Sequence, residues 1–215
     1  SYDDADAKFD GAAGDKLKEI LSEYGLHCMG IAENGFRQLT NSKHPVTKPE
    51  DLKDLKIRVP GSAVYMGVFN ALGASPTAMS WSEVFTAIQQ KTIDGQENGC
   101  SVTKSAKMDE IQQYMTIWNY SYENDLFVAN TKVWENLEDN TKELLQQCAT
   151  ESCEWGRDHL EAEEDQLIQG FMDSGMQVDI LTEDQLQAFK DAVAGVTAEL
   201  KAEYGEDACA AFGIN

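Results

Sequence analysis

The sequence predicts an α/β fold in which helices cover a parallel sheet. Between Lys56 and Asn98, three short extended segments alternate with two amphipathic helices, and the connections between them are short. This alternation is typical of parallel sheets, whose neighbouring strands need a crossover connection. A helix predicted over 141–172 would extend about 45–48 Å, which exceeds the width of one small domain and favours two.

The residues before this block predict helices, one strand and a loop. Apolar residues recur at helical spacing up to Tyr24, and a short apolar run follows Gly25. In order, the predicted elements are helical pieces over 3–24 broken near Gly11 and Gly14, a buried strand over 26–32, a polar segment over 33–40, and a loop over 41–53 with a helical turn at Pro49.

The central block takes its boundaries from proline, glycine and helix-capping residues. Pro60 and Gly61 end the first strand, Ser62 caps the next helix, and Gly73 ends that helix. Ser80–Glu83 has the spacing of a capping box and begins the second helix. The three predicted strands are Ile57–Val59, Ser75–Met79 and Ile93–Asn98.

Beyond Asn98 the sequence predicts further strands, a long helix and a final helix. Asn130 or Thr131 caps a short helix, and Thr182–Gln185 has the spacing of a capping box. The predicted extended segments are 114–122, a buried strand at Leu126–Ala129, and a last strand at Gln177–Leu181. The apolar seam predicted for the long helix is Leu145, Cys148, Ser152, Trp155, His159 and Leu167.

Polar and aromatic side chains lie at the ends of the three central strands. Arg58 belongs to the first strand, Trp81 follows the second, and Asn98 ends the third. Ligands of such sheets bind beyond the carboxyl ends of the strands, and the N–H groups of the helix capped by Ser62 lie at the same rim. We therefore expect a carboxylate bound by Arg58 and Asn98, with Trp81 packing on the apolar part of the ligand.

The charge of the chain argues against several classes of partner. The 38 acidic and 17 basic residues give a formal net charge of −21. Nucleic acid and anionic membrane surfaces are disfavoured, because both need clustered Lys and Arg. No apolar run approaches the roughly 20 residues that span a bilayer, which predicts a soluble chain. Glu161–Asp165 is interpreted as a solvated helix face.

The spacing of histidines and cysteines favours neither a metal site nor a nucleophile. The three histidines fall on different predicted elements, and the five cysteines form no CxxC pair. No Ser-His-Asp or Cys-His arrangement is visible. We expect no metal, no cofactor and buried free thiols, with one disulfide still compatible with the count.

Five blocks of sequence match a known family in their order and spacing. The blocks are Glu33–Arg37, Pro49–Gly61, Leu72–Thr77, Ser82–Gln89 and Asp94–Asn98. Together they resemble the substrate-binding proteins of tripartite ATP-independent periplasmic (TRAP) transporters, the DctP-like family. The resemblance runs through the whole chain.

This resemblance implies a periplasmic-binding-protein-like fold with two α/β lobes that close on a ligand like a flytrap, and with the long helix spanning both lobes. It places residues 1–35 and 124–158 in lobe I and residues 36–123 and 159–215 in lobe II. It implies a non-enzymatic periplasmic or extracytoplasmic receptor without a cofactor. Such a receptor captures a small organic acid and delivers it to the TRAP membrane subunits.

The resemblance also assigns roles to individual residues. Arg58 falls on the carboxylate-binding arginine of the family, Arg37 on its second binding-site arginine, Asn98 on its site asparagine, and Trp81 on its stacking aromatic. The residues expected near the site are Glu97, Met79 and the aromatics of 118–122, Tyr122 among them.

Family members usually have a further segment before the position of Ser1, and the chain opens without an initiator Met or signal peptide. We therefore expect an incomplete lobe I, whose unpaired sheet edges favour self-association. Two alternatives stay open. One is an α/β enzyme that uses Arg58 to anchor a carboxylate substrate, with Glu97 or Glu83 as its acid or base. The other is a truncated remnant that does not bind ligand.

Overall fold

The computed structural model describes residues 1–214 and contains two compact units. Unit 1 consists of residues 1–35, 122–163 and 204–214, and unit 2 consists of residues 36–121 and 164–203. Among the described residues, no helix combines the length and apolar character needed to cross a bilayer. The two-lobe assignment stays a prediction. The structure groups residues 204–214 with unit 1, and Asn215 lies outside the described residues.

The described chain contains both helices and strands. The strands are β1 Leu26–Asn41, β2 Ile57–Val59, β3 Thr77–Ala78, β4 Gly95–Gly99, β5 Tyr114–Ile117, β6 Tyr122–Asn130 and β7 Gln177–Ile180. The helices are α1 Tyr2–Phe9, α2 Ala12–Glu23, α3 Ala63–Ala71, α4 Trp81–Gln89, α5 Cys100–Ser105, α6 Thr131–Glu135, α7 Asp139–Asp173, α8 Glu183–Tyr204 and α9 Glu206–Ala211. A 3-10 turn at Pro49–Leu52 fulfils the turn predicted at Pro49, and a second 3-10 turn lies at Met108–Glu110.

The sheet confirms the parallel arrangement predicted for the central block. Strand order is β3-β2-β4-β1-β5-β7, and β6 pairs with β1. β2 runs parallel to β3 and β4, and β5 runs parallel to β7. β1 runs antiparallel to both β4 and β5. The carboxyl ends of β2, β3 and β4 therefore meet at one edge of the sheet, which is where the site was expected.

β1 is much longer than the predicted strand 26–32, because its polar second half is buried and hydrogen-bonded. The main-chain N–H groups of Trp118 and Asn119 donate to Oε1 of Gln38 over 2.9 and 3.1 Å. Nε2 of Gln96 donates to the hydroxyl of Thr40 over 2.7 Å. These partners lie far away in sequence, so buried polar side chains replace the apolar pattern that normally marks an interior strand.

β4 lies in the centre of the sheet, between β2 and β1, and all five of its residues are buried. It begins with Gly95, where a Cβ atom would lie 2.2 Å from the main-chain oxygen of Thr40. Only glycine allows β1 and β4 to approach this closely. The close approach fixes the register in which Arg37 lies opposite Gly99 and Leu39 opposite Glu97.

Helix ends in the central block and after β7 follow their predicted signals, with one exception. Ser62 caps α3, and Gly73 follows that helix with a φ of +79°. Thr182 and Gln185 form the predicted capping box of α8. The capping box predicted at Ser80 is wrong, because the Ser80 hydroxyl pairs with the hydroxyl of Ser82 over 3.1 Å and caps no backbone N–H.

The predicted apolar seam of α7 is wrong by one residue between Leu145 and His159, whereas Leu167 packs against a buried cluster as predicted. The buried positions include Ala149, Cys153 and Phe171, whereas Trp155 is 63% exposed and Leu145 is 41% exposed. One residue corresponds to roughly 100° of rotation about the helix axis. The long helix itself is confirmed, and residues 139–163 belong to unit 1 while 164–173 belong to unit 2.

Two further burial predictions are corrected by the structure. The strand predicted at Leu126–Ala129 lies within β6, but Leu126, Phe127 and Val128 are exposed rather than buried. All five cysteines are free thiols, as expected, but Cys148 is exposed. The apolar residues thus predicted the position of the strand correctly, but neither its burial nor that of Cys148 could be read from residue type alone.

Candidate functional site

Arg58 is the middle residue of the short strand β2 and is buried, with 6% of its surface exposed. Its Nε atom donates a hydrogen bond to the main-chain oxygen of Met79 over 2.9 Å. Its guanidinium carbon lies 5.4 Å from the centre of the Trp81 ring, within the range of a cation–π contact. The segment after β3 and the start of α4 therefore orient the guanidinium at the strand-end edge of the sheet.

Arg37 forms a buried ion pair with Glu97. The two side chains are 2% and 0% exposed. Nε of Arg37 donates to one carboxylate oxygen over 2.5 Å, and Nη2 donates to the other over 2.8 Å. Nη2 also donates to the main-chain oxygen of Glu97 over 2.7 Å. This is the bidentate arrangement in which arginine and carboxylate bind most strongly.

The pairing of β1 with β4 brings these two residues together. Since Arg37 lies opposite Gly99 and Leu39 lies opposite Glu97, the charged side chains are diagonal neighbours on one face of the sheet. Arg37 and Glu97 are 60 residues apart in the sequence. Only the strand register places their charges in contact.

Two tyrosines lie beside this ion pair. The hydroxyl of Tyr120 donates to Oε2 of Glu97, and the ring of Tyr65 lies 5.3 Å from the guanidinium carbon of Arg37. Burial raises the pKa of Tyr120 well above its usual range, and the negative charge of Glu97 adds to this effect. Tyr120 therefore stays a neutral hydrogen-bond donor at physiological pH.

Asn98 and Trp81 lie where the sequence placed them, and each has a contact within unit 2. Asn98 is 7% exposed, and its Oδ1 accepts a hydrogen bond from the N–H of Gly99 over 2.9 Å. Trp81 and Met79 pack against the apolar cluster that includes Val84. Both residues thus contribute to the fold at the strand-end edge, and their predicted ligand contacts stay predictions.

The structure brings together five of the seven predicted ligand residues in two contact groups: Arg58 with Met79 and Trp81, and Arg37 with Glu97. Asn98 is adjacent to Glu97 on β4. Tyr122 belongs to unit 1, where its ring stacks on Phe9 with 5.6 Å between the ring centres.

Sequence reasoning missed Tyr65 beside the ion pair, whereas Tyr120 belongs to the aromatics of 118–122 that were expected near the site. Tyr120 lies within the aromatic stretch expected near the site, and an extended backbone there would have allowed it as readily as Tyr122. Tyr65 gave no separate signal, since it recurs at the spacing of the apolar face of α3.

Unit 1 holds a cluster of three carboxylates that the sequence did not predict. Asp6, Glu33 and Glu161 each place an oxygen within 4.8 Å of the others. Burial raises the pKa of Glu33 to about 7, and the charges of Asp6 and Glu161 reinforce the shift. Glu161 is half-buried here, so the prediction of a fully solvated face is wrong for this residue.

This carboxylate cluster is better suited to binding a proton than a metal ion. Carboxylate oxygens suit Ca²⁺ or Mg²⁺, but Nε of Arg157 lies 3.0 Å from Asp6 and already supplies a positive charge. Burial likewise raises the pKa of Asp6 and of Glu161. Protonation relieves the repulsion between like charges that a cation would otherwise have to offset.

A groove of about 670 Å³ in unit 2 lies away from the strand-end residues. Its wall includes Ser42, which follows the carboxyl end of β1, Asp94, which precedes the amino end of β4, and Ile88 near the end of α4. None of the seven predicted ligand residues lines this groove in the described part of the chain. The buried arginines, and not the groove, therefore define the candidate site.

Comparison with known proteins places this geometry in a family. The family model described as bacterial extracellular solute-binding protein, family 7 (DctP), matches residues 1–203. The 2,3-diketo-L-gulonate-binding periplasmic protein YiaO of Escherichia coli is 35% identical over 184 residues, covering 86% of this chain and 56% of the relative. The C4-dicarboxylate-binding periplasmic protein DctP of Rhodobacter capsulatus is 30% identical, covering 94% of this chain and 60% of that protein.

Solved structures show the same fold. A TRAP periplasmic solute-binding protein from Ralstonia eutropha with bound (S)-2-acetolactate matches with a TM-score of 0.93 and 33% identity, covering 98% of this chain and 69% of that chain. One from Shewanella oneidensis with bound succinate matches with a TM-score of 0.90 and 30% identity, covering 96% and 68%. These relatives are solute-binding proteins and not enzymes.

The chain thus spans 56% and 60% of the length of the two curated relatives named above. The match to the family model covers most of the chain, the α/β fold agrees closely with the solved relatives, and the resemblance inferred from the five sequence blocks is confirmed. The chain belongs to the DctP family of bacterial extracellular solute-binding proteins.

Proposed function

We propose that this chain provides the carboxylate-binding part of an extracytoplasmic receptor that captures a small organic acid and delivers it to the membrane subunits of a TRAP transporter. One observation carries the proposal: a buried arginine, Arg58, lies on a short parallel strand and is oriented by Met79 and Trp81, which follow the neighbouring strand β3. An organic acid offers the carboxylate that such a guanidinium recognises.

The ligands of solved relatives support the same chemistry. The relatives from Ralstonia eutropha and Shewanella oneidensis hold acetolactate and succinate, and the sugar acid binding protein of Advenella mimigardefordensis holds galactonate. Each of these ligands has at least one carboxylate and differs in the rest of the molecule. The common requirement is therefore one well-placed cation, and Arg58 meets it.

Short-range contacts must supply the affinity, because the net charge of −21 opposes the approach of an anion. Burial of Arg58 strengthens its interaction with a carboxylate, since water no longer competes for the charges. Asn98 and the aromatic ring of Trp81 would add a hydrogen bond and an apolar contact.

The enzyme alternative has no support at this site. Glu97 accepts hydrogen bonds from both Arg37 and Tyr120, so its carboxylate is already engaged. Glu83 is exposed on the first turn of α4.

Isothermal titration calorimetry tests the proposal with acetolactate, succinate and galactonate as probes. Replacement of Arg58→Ala removes the ion pair with the carboxylate and should weaken binding about 30-fold to 1,000-fold. Lys56→Ala is the matched control, because Lys56 is an exposed cation just before β2. Full affinity in the Arg58→Ala variant, or no binding of any acid by the wild-type chain, contradicts the proposal.

We further propose that the chain associates with a second copy through unit 1. Leu126, Phe127 and Val128 are adjacent on β6 and exposed, and Trp155 is an exposed aromatic on α7. Apolar side chains of this kind on an exposed strand favour association. Sedimentation velocity should show concentration-dependent dimers that Phe127→Ser weakens. A monomer at every concentration contradicts this proposal.

A further inference from the structure

Two thiols of unit 1 converge on Gly30 in β1. Cys28 lies two residues before Gly30, so both positions face the same side of the strand. The thiol of Cys28 donates a hydrogen bond to the main-chain oxygen of Gly30 over 3.5 Å. The sulfur of Cys153, on α7, lies 2.7 Å from the place that a Cβ atom on Gly30 would occupy. The two sulfurs therefore approach the same residue, one along the strand and the other from the helix that packs on it.

The packing of α7 on β1 holds these positions together. Nε2 of Gln146 donates a hydrogen bond to the main-chain oxygen of Met29 over 2.7 Å. The main-chain oxygen of Ala149 lies 3.6 Å from the place of a Cβ atom on Gly30. Any larger residue at this position would occupy the space into which the sulfur of Cys153 projects. Glycine is therefore what lets this thiol reach the strand.

The two thiols differ in their exposure. Cys153 is buried, with 8% of its surface exposed, whereas Cys28 is half-buried. Burial raises the pKa of both thiols; the charge of Arg157 opposes the shift at Cys153, and Cys28 adds to it, as expected of groups that lie close together. Both groups are protonated thiols at neutral pH, and Cys28 is the one that an oxidant reaches first.

We propose that Cys28 and Cys153 are a redox site of unit 1, in which an oxidant of the disulfide class joins them by a bond between β1 and α7. Both cysteines are free in the structure, which is therefore the reduced form. Rotation about the side-chain bonds brings the two sulfurs to the bonding distance of about 2 Å, and the weak hydrogen bond from Cys28 to Gly30 is given up. The family model describes extracellular proteins, and disulfides persist in oxidising compartments.

The reaction consists of two thiol–disulfide exchanges. The thiolate of Cys28 attacks one sulfur of the oxidant, which forms a mixed disulfide and releases the first thiol of the oxidant. The thiolate of Cys153 then attacks the sulfur of Cys28, which closes the protein disulfide and releases the second thiol. The protein loses two electrons and two protons, and the disulfide of the oxidant takes them up as it becomes two thiols.

Oxidised glutathione is the probe that tests the proposal on the reduced wild-type chain. After incubation, the remaining thiols are blocked with N-ethylmaleimide and the digested chain is analysed by mass spectrometry. We expect a peptide pair that joins Cys28 to Cys153, with the loss of two hydrogen atoms and no retained glutathione. The thermal midpoint of the linked chain should rise by about 5 °C or more, because the bond closes a long loop. Dithiothreitol should reverse both changes.

Four variants locate the bond. Cys28→Ser and Cys153→Ser should each abolish the link and the rise in the thermal midpoint. Cys148→Ser should retain both, and it is the matched control because Cys148 is an exposed thiol on the same helix as Cys153. Gly30→Ala should slow formation of the link about tenfold or more, since the added methyl group displaces the sulfur of Cys153. Circular dichroism shows whether each variant is folded.

The oxidised wild-type chain decides the outcome even if a variant does not fold. Glutathione retained on Cys28, a bond to Cys148 or the absence of any bond contradicts the proposal, and so does an unchanged rate in a folded Gly30→Ala variant. The bond forms within unit 1 and does not involve Arg58. Its absence therefore leaves the proposed binding of organic acids standing, and a chain that binds no acid can still form the bond.

Discussion

The Arg37–Glu97 pair should contribute strongly to the stability of unit 2, and its removal gives a sharp test of the site geometry. The variant Glu97→Ala leaves the guanidinium of Arg37, which is 2% exposed, without the carboxylate that accepts two of its hydrogen bonds. Breaking one partner of a buried ion pair typically costs about 3–5 kcal/mol. We therefore expect a loss in this range, a large part of the stability of an ordinary domain.

A double-mutant cycle isolates the interaction from the other effects of each substitution. The cycle compares Arg37→Ala, Glu97→Ala and the double variant, and the double variant should cost about 1–3 kcal/mol less than the sum of the two single variants. Urea unfolding followed by circular dichroism measures each free energy. Lys16→Ala/Glu19→Ala is the control cycle, because that pair is an exposed helical ion pair at 3.0 Å and should give a coupling of about 0.5 kcal/mol or less.

A coupling energy near zero for Arg37 and Glu97 would contradict the reasoning. It would mean that other groups compensate the buried charge of Arg37.

Two further predictions concern titration and thiol chemistry. The pKa of Glu33 rises from an ordinary value of 4.5 to about 7, so the folded chain holds a proton that the unfolded chain releases. The unfolding free energy should therefore fall by about 1–3 kcal/mol as the pH rises from 4.5 to 7, and Glu33→Gln should flatten this dependence. If melts at different pH give the variant the same slope of unfolding free energy against pH as the wild type, the prediction is wrong. The exposed Cys148 should react with Ellman's reagent in the folded chain. Cys100 should not react, because burial raises the pKa of its thiol to about 12. Rapid labelling of Cys100, located by mass spectrometry, would contradict this prediction.

The central α/β block was predictable because its signals are local. Pro60 and Gly61 end β2, Ser62 caps α3, and Gly73 takes a positive φ after that helix. Each signal acts within a few residues, so the sequence alone contains it. The strand-end position of Arg58 follows directly from this order of elements.

The second half of β1 was not predictable in the same way. Gln38 and Thr40 are fully buried, and their partners Trp118 and Gln112 lie far along the chain. No local sequence pattern distinguishes a buried glutamine that is hydrogen-bonded within the protein from one that is exposed to solvent. The contact of Arg37 with Glu97 depends on the same strand and was missed for the same reason, although both residues were named as candidates.

The α7 seam shows a limit of periodicity. Apolar residues on this helix lie on more than one face, including the exposed Leu144 and Trp155, so several registers fit the pattern almost equally well. The buried face contains Ala149 and Cys153, whose small side chains carry a weak signal. Small side chains fit on this face because the packing is close. A Cβ atom on Gly30 would lie only 2.7 Å from the sulfur of Cys153.

The discontinuity of unit 2 has a consequence for synthesis of the protein. The sheet is completed when β7 pairs with β5, and Phe189 of α8 then packs on Trp118 with 5.2 Å between the ring centres. A ribosome must therefore make residues 122–180 after β5 has been made. At 5–20 residues per second this takes about 3–12 s, during which the nascent chain carries an open strand edge beside an uncovered tryptophan. The candidate site is encoded early in the chain, but the sheet that holds it is completed late.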